Sequence, residues 1–491
     1  KTLIDDSTTA FEFYSTIFDI PKAPTESLTT VRRLIPLQKL PQPYIPTTPT
    51  GPSGPTGPIV SQTYWLNGIT STDNDLTESK TFAIDGVGNI IILRDSGLLT
   101  KVNKNGSVLW AKNVVKTSPL DSNIKITTTT IDNYGFIYAV VAESVVDKNP
   151  ACSAIVKLDT SGNLIWTIYT YVDAISEIVW LKDGSFVIVG WQYADGSLTT
   201  KNACIVRYDT NLVAHKLNIL DTQYTNYRVV QGNNSYVVLM QGTTYVDVVC
   251  LSFSNTKIWE KRINDDPLYT VQNIDVCSDN FYNIYISYCS LTSGAITNSV
   301  ILALNSQGSV LWQKQIEDYV GNTGRSYVVA KGVFSSTLGE IYVTGEIIDT
   351  ATFNVKEILI IKLTKDGTVV YQTMLKRDPA LLDYNIIPAS MKSIKKYLTT
   401  FVCVGSIKRF TYQNETKLFI AKLPNDGSKQ GTYQFGSIGP IKYIASEFTI
   451  NSGYLSVIPV TISFTTINFA PTEFNLAVQS NSFTFEIENI S

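Results

Sequence analysis

The sequence predicts an all-β fold: a seven-bladed β-propeller of four-stranded blades, with eight blades as the alternative count, preceded by an extended Pro-rich N-terminal arm. Three observations predict it. The first is a repeated phrase whose clearest copy, at residues 155–166, reads Ile-Val-Lys-Leu-Asp-Thr-Ser-Gly-Asn-Leu-Ile-Trp. Apolar residues alternate, a polar turn passes through a glycine, and a second alternating run carries a tryptophan, which is the signature of a β-hairpin. The second is its spacing: copies start at Lys101, Lys157, Arg207, Cys250, Ala303, Lys362 and Lys422, at intervals of 56, 50, 43, 53, 59 and 60 residues. A hairpin repeat of that period means a propeller or an array. The third is composition, rich in Thr, Asn, Ser, Ile, Val and Tyr, which favours strands and turns.

Taken in order, residues 1–50 carry no repeat. Seven prolines from Pro21 to Pro49 break any long helix or central strand, while Phe11, Phe13, Tyr14, Ile17 and Phe18 form one apolar cluster. This reads as an extended arm that orders itself on a partner, because it has too little apolar surface to bury alone. Residues 51–59 are three consecutive Gly-Pro-X triplets, the last ending in Ile59. Glycine at every third place suits a collagen triple helix, and equally a semi-rigid polyproline spacer.

From 60 to 434 the chain reads as the propeller. In the copy around Arg207, strands are expected near 175–181, 185–191, 204–209 and 213–218, with short a–b and c–d turns and a long b–c link. Strand direction alternates, so short turns share one face of the ring and long loops the other. Loops on a rigid scaffold are where binding concentrates, which makes Trp191, Tyr193 and Tyr412 the candidate partner-binding residues. The recurrent aromatics Trp110, Trp166, Trp259, Trp312 and Tyr371 are expected to pack between blades. The recurrent Lys or Arg before each turn is expected to cover sheet surface with its stem. Residues 435–491 lose the phrase but stay strand-like; they fit a closure, an accessory sheet or a degenerate eighth blade.

The segment at 339–371, Gly-Glu-Ile-Tyr-Val-Thr-Gly through Ile-Leu-Ile-Ile-Lys-Leu-Thr-Lys-Asp-Gly-Thr-Val-Val-Tyr, resembles the bacterial seven-bladed propeller repeat known as SBBP. That resemblance implies the fold and leaves the job open. The Gly-Pro-Thr/Ser triplets joined to a β-rich, Asn/Thr-rich chain resemble surface proteins of giant viruses, phage fibres and spore coats. The Gly-x-x-x-Trp spacing is similar to the tryptophan-docking repeat of quinoprotein propellers, but the vicinal cysteine pair of those enzymes is missing here. Asp159 and Gly162 approach the Asp box of sialidases in one copy.

Chemistry-bearing patterns are sparse. The net charge is −3 and charged residues make up 16% of the chain, which gives no electrostatic grip on nucleic acid. No run of eighteen apolar residues suggests a membrane span. Six cysteines (Cys152, Cys204, Cys250, Cys277, Cys289 and Cys403) form no C-x-x-C pair and read as buried thiols. The single histidine, His215, reads as an ordinary strand residue, and no phosphate loop occurs. No catalytic, cofactor-binding or metal residue is assigned, although glycosidase-type carboxylates pair in space rather than in sequence.

The sequence therefore points to a non-enzymatic structural or adhesive component of a virion or other extracellular particle surface. The arm would bind other particle proteins, and the long-loop face would meet a host-surface protein or glycan. The alternative is a carbohydrate-binding or carbohydrate-active propeller. No cofactor, nucleic acid or membrane insertion is expected, and the triplets allow a homotrimer.

Overall fold

The computed structural model describes residues 64–71, 79–94, 97–116, 123–144, 153–170, 172–193, 201–219, 224–264, 268–292, 295–316, 319–321, 324–336, 339–349, 355–377, 386–397, 400–409, 416–424, 426–428, 430–435, 439–445, 450–452, 456–458, 464–469, 476–480 and 483–490. They belong to one compact unit, residues 62–491. The expected arm and spacer, with Phe11, Phe13, Tyr14 and Phe18, lie outside the described residues, as does Tyr412.

The described strands form a β-propeller. The third blade shows the plan: Ala174–Trp180, Phe186–Tyr193, Lys201–Tyr208 and Ala214–Ile219 pair antiparallel in sequence order, strands a to d. Six blades are built this way from consecutive strands. Their a strands are Ser79–Ile84, Asn123–Ile131, Ala174–Trp180, Asn226–Gly232, Thr270–Ser278 and Gly324–Ser335. These line a central channel, each beside the next.

The expected number of blades, seven or eight, is corrected. Among the described residues, six blades are each cut from one continuous stretch of chain. The sheet that closes the ring is a composite: Ile386–Tyr397, Thr400–Arg409 and Thr416–Pro424 supply three strands, and Tyr64–Ser71, from the other end of the chain, supplies the fourth. The seventh copy of the phrase starts at Lys422, but Lys422 stands opposite Trp65, from the other end of the chain. The hairpin rule failed there because closing a ring requires a strand from far away in sequence.

The blades are four-stranded, and every sheet save one carries at least one further strand from the C-terminal segment. The C-terminal strands circle the outside of the ring in reverse blade order. Gly439–Ala445 adds to the sixth blade, Ile450–Ser452 to the fifth, Ser456–Ile458 to the fourth and Phe464–Phe469 to the third. Leu476–Ser480 adds to the first, and Phe483–Ile490 to the closing sheet, over Tyr64–Ser71. Among the described residues, only the second blade, ending in Leu164–Thr170, keeps four strands. A strand laid on each d strand pairs backbone groups that an open edge leaves to solvent or to another chain. No eighth blade forms among the described residues.

The core is a series of slabs between neighbouring blades. Tyr138, Val140 and Ile155 of the second pack on Ile178, Phe186 and Val206 of the third, and Tyr285, Ile301 and Ala303 of the fifth on Ile341, Val343 and Leu359 of the sixth.

The repeated phrase supplies the joints. In five blades the residue before the aromatic (Leu109, Ile165, Ile258, Leu311 and Val370) is an extra residue that the opposite strand does not match, a β-bulge. A bulge re-aims the following side chain, and here the aromatic turns onto the c–d turn of the next blade. The Trp259 Nε1–H donates to Ser306 O at 2.8 Å and the Trp312 Nε1–H to Lys365 O at 2.7 Å. Each ring lies on the glycine two residues further on: a Cβ added at Gly308 would sit 2.8 Å from Trp259, and one at Gly367 2.7 Å from Trp312. Both glycines have φ near +80°, so the position excludes a side chain twice over. In the third blade His215 holds the aromatic's place, and its c–d pairing runs without a bulge.

The recurrent cations also act between strands and blades. Lys101 and Lys362 are only 3% and 7% exposed. Lys101 Nζ lies 3.3 Å from Asp85 Oδ2 and donates to Thr160 O of the next blade at 3.0 Å, the carbonyl that also accepts from Trp110. Lys422 Nζ makes the matching bond to Lys104 O, joining the closing sheet to the first blade.

Two outcomes follow. Gly367→Ala combines a steric clash with an unfavourable φ, and it is expected to lower unfolding free energy by about 2 kcal/mol in urea titrations. Removing residues 481–491 uncovers the outer edge of Tyr64–Ser71; the truncated ring is expected to melt several degrees lower in calorimetry, with its β-rich circular dichroism spectrum retained.

Candidate functional site

Two places gather polar and aromatic groups: the rim of the third blade on the long-loop face, and the central channel. At the rim, strand b ends in Trp191, Gln192 and Tyr193, and strand c begins with Lys201. Tyr193 and Lys201 face each other across the ladder. The Trp191 and Tyr193 rings meet edge to face, 5.1 Å between centroids. Lys201 Nζ sits 4.0 Å above the Trp191 ring and 5.9 Å from that of Tyr193. Below this trio the Tyr193 N–H donates to Asp173 Oδ2 at 2.6 Å, and Lys216 donates to Gln192 Oε1.

Two of the three expected loop-face residues thus come together. The rest of Trp191 packs against the Leu181, Val187 and Tyr236 cluster, so it is anchored as well as presented. An aromatic pair capped by an ammonium attracts a ligand that offers a carboxylate or hydroxyls to the cation and an apolar face to the rings. Lys201 was not identifiable from sequence, because its contact depends on cross-strand register.

Asp173 shows what the rim costs. Burial pushes its carboxyl above the usual aspartate range, more than the Tyr193 N–H and the nearby Lys216 pull it down.

Trp110, Trp259, Trp312 and Tyr371 lie against Gly162, Gly308, Gly367 and Gly427 respectively, each in the turn of the next sheet. Trp166, which has no glycine to rest on, stacks with Phe186, 6.4 Å between centroids, and meets Leu212. Leu212 takes the glycine's place in that turn at φ 63°. His215 lies 3.8 Å from Asp209 Oδ2 on strand d, outside both sites. Cys204, Cys250, Cys277 and Cys289 are buried free thiols, and burial pushes the Cys204 thiol up to about 12.

The channel holds a cavity of about 630 Å³ lined by the a strands of the six blades. Its charged groups alternate around successive blades: Glu177, Arg228, Asp275 and Lys331. The Val229 N–H donates to Glu177 Oε2 at 2.6 Å and the Val333 N–H to Asp275 Oδ2 at 2.9 Å, so each carboxylate ties its blade to the next. Arg228 Nε lies 3.7 Å from Asp275 Oδ1, and Lys331 Nζ lies 3.3 Å from Glu346 Oε2. Among the described residues, no group of three His, Cys, Asp or Glu side chains is placed to hold a metal ion.

No family model matches the sequence, and no curated protein matches it. Among solved structures, the chain is similar to the Dos1 propeller, at 11% identity and a TM-score of 0.43 over 78% of this chain and 96% of that one. It is also similar to the polysaccharide lyase Uly1, at 7% identity and 0.41 over 75% and 98%, and to the endosialidase of phage phi92, at 6% and 0.39 over 77% and 74%.

Asp173 yields a pH test. Its carboxyl binds a proton more tightly folded than unfolded, so its contribution is fully present below the unfolded value of about 4 and is lost as pH rises through the folded one. Asp173→Asn is expected to raise the urea midpoint relative to wild type at pH 7, with the gain vanishing below about pH 4.

Proposed function

We propose that the chain is a non-enzymatic structural or adhesive component of a virion or comparable extracellular particle, with the propeller as its interaction platform. One observation carries the reading. Tyr64, where the described chain enters the ring, pairs with Ile490, and both lie at the short-turn face beside Lys422. The Trp191–Tyr193–Lys201 trio sits on the opposite, long-loop face. Residues 1–50 would anchor on other particle proteins and 51–59 would hold the ring away, leaving the loop face to meet a host-surface protein or glycan.

A second reading, a carbohydrate-binding or carbohydrate-active propeller, draws on the trio itself. A pyranose offers an apolar face for an aromatic ring and hydroxyls for an ammonium.

Deleting residues 1–59 tests the first reading. The truncated ring is expected to fold but to be lost from purified particles; incorporation at the full-length level would sink the anchoring role. For the second, binding on a glycan array is expected to fall at least about tenfold in Trp191→Ala. An array with no wild-type signal counts against it.

A further inference from the structure

The trio stands on one wall of the seam between the third and fourth blades, and the opposite wall repeats its chemistry. Trp191, Ala203 and Ile205 pack toward the fourth blade, and Tyr245, Val249 and Leu251 of that blade close on the same cluster. Side chains alternate along a strand, so Lys201 shares the wall of Ala203, and Asp247 that of Val249. The heights agree as well. Lys201 lies six residues before Arg207, where one copy of the repeated phrase starts, and Tyr245 five residues before Cys250, where the next does. Both stand at the long-loop end of their c strands, Lys201–Tyr208 and Tyr245–Ser252, on facing walls.

On the fourth-blade wall Arg262 caps an aromatic as Lys201 does. Its guanidinium carbon lies 3.8 Å from the centre of the Tyr245 ring, which Tyr224 meets edge to face at 6.2 Å. The cation is held in place. Arg262 Nε and Nη2 each donate to a carboxylate oxygen of the buried Asp247 at 2.7 Å, and the Tyr224 hydroxyl donates to Asp247 Oδ2 at 2.5 Å. Asp247 thus takes two of the five guanidinium N–H donors. The charges of the seam mouth do not cancel. Arg262 answers Asp247, and Lys216 lies near Asp173 beneath the rim. Lys201 is exposed, and among the described residues no carboxylate pairs with it.

We infer that the seam mouth between the third and fourth blades binds an acidic oligosaccharide, its sugar rings against the aromatic walls and its carboxylate or sulfate on Lys201. The inference rests on the carbohydrate reading above and narrows it to charged glycans. Aromatic faces take neutral and acidic sugars alike. An ammonium without a carboxylate partner favours the acidic ones, because a charge-assisted hydrogen bond is about twice as strong as a neutral one. Two walls, each with its own ring and cation, suit a chain of sugars rather than a single one.

A glycan array probed with the full chain tests it, setting sialylated lactose, sulfated lactose and oligouronates beside lactose and the methyl-esterified uronates. Acidic members are expected to bind at least about tenfold more tightly than their uncharged parents, and the stronger class tells carboxylate from sulfate. That preference should vanish in Lys201→Gln, persist in Lys201→Arg and shrink with added sodium chloride. Tyr245→Ala is expected to weaken binding of the acidic members about tenfold. Urea midpoints confirm that each variant folds. Equal binding of acidic and neutral members, a preference unchanged in Lys201→Gln, or binding unchanged in Tyr245→Ala overturns the inference and leaves the carbohydrate reading standing. An array blank throughout overturns both.

Discussion

The ring rests on one contact made repeatedly: an aromatic side chain of one blade lying on a bare turn of the next. It needs a bulge to aim the ring, a turn with a positive-φ glycine to receive it, and a carbonyl two residues earlier to take the indole N–H. Trp259 on Gly308 and Trp312 on Gly367 show all three parts. These rings are half-buried, so each contributes less than the roughly 1.5–3 kcal/mol of a fully buried side chain, but the greater consequence is geometric. A joint with one aim and one seat fixes the angle between blades, and repeating it closes the circle. Where the sequence drops a part, the joint is rebuilt: Trp166 stacks on Phe186, and Asn255 Nδ2 donates to His215 O in place of an indole bond.

Around this inner framework the C-terminal strands make an outer one. They form no sheet of their own among the described residues; each adds to a d strand that belongs to another part of the chain. The two frameworks meet at the closing sheet, where Tyr64–Ser71 lies between Thr416–Pro424 and Phe483–Ile490. Both ends of the unit are thus held in one sheet.

Local features of the blade were legible in sequence, because the hairpin, its turn and its aromatic lie within a dozen residues. Strands at 174–180, 186–193, 201–208 and 214–219 fall close to the alternating runs that predict them. Long-range pairing was not legible. Nothing in Tyr64–Ser71 shows that it pairs with residues 416–424, and strands as short as Ile450–Ser452 carry too little periodicity to name a partner. The bulges escaped for a related reason: an extra residue is defined only against the strand opposite. At the loop-face site, Trp191 and Tyr193 stood out by residue type, whereas Lys201 joined them only through cross-strand register.

The placing of Tyr64–Ser71 also sets how the ring bears load. A pull along this strand from its Tyr64 end draws it lengthwise between two antiparallel neighbours, with eight register partners on the Phe483–Ile490 side and five on the other. Those rungs lie across the force and share it, so they yield together rather than one at a time. A strand at the edge of its sheet would peel. A closure designed this way resists tension best in the direction from which a tether would apply it.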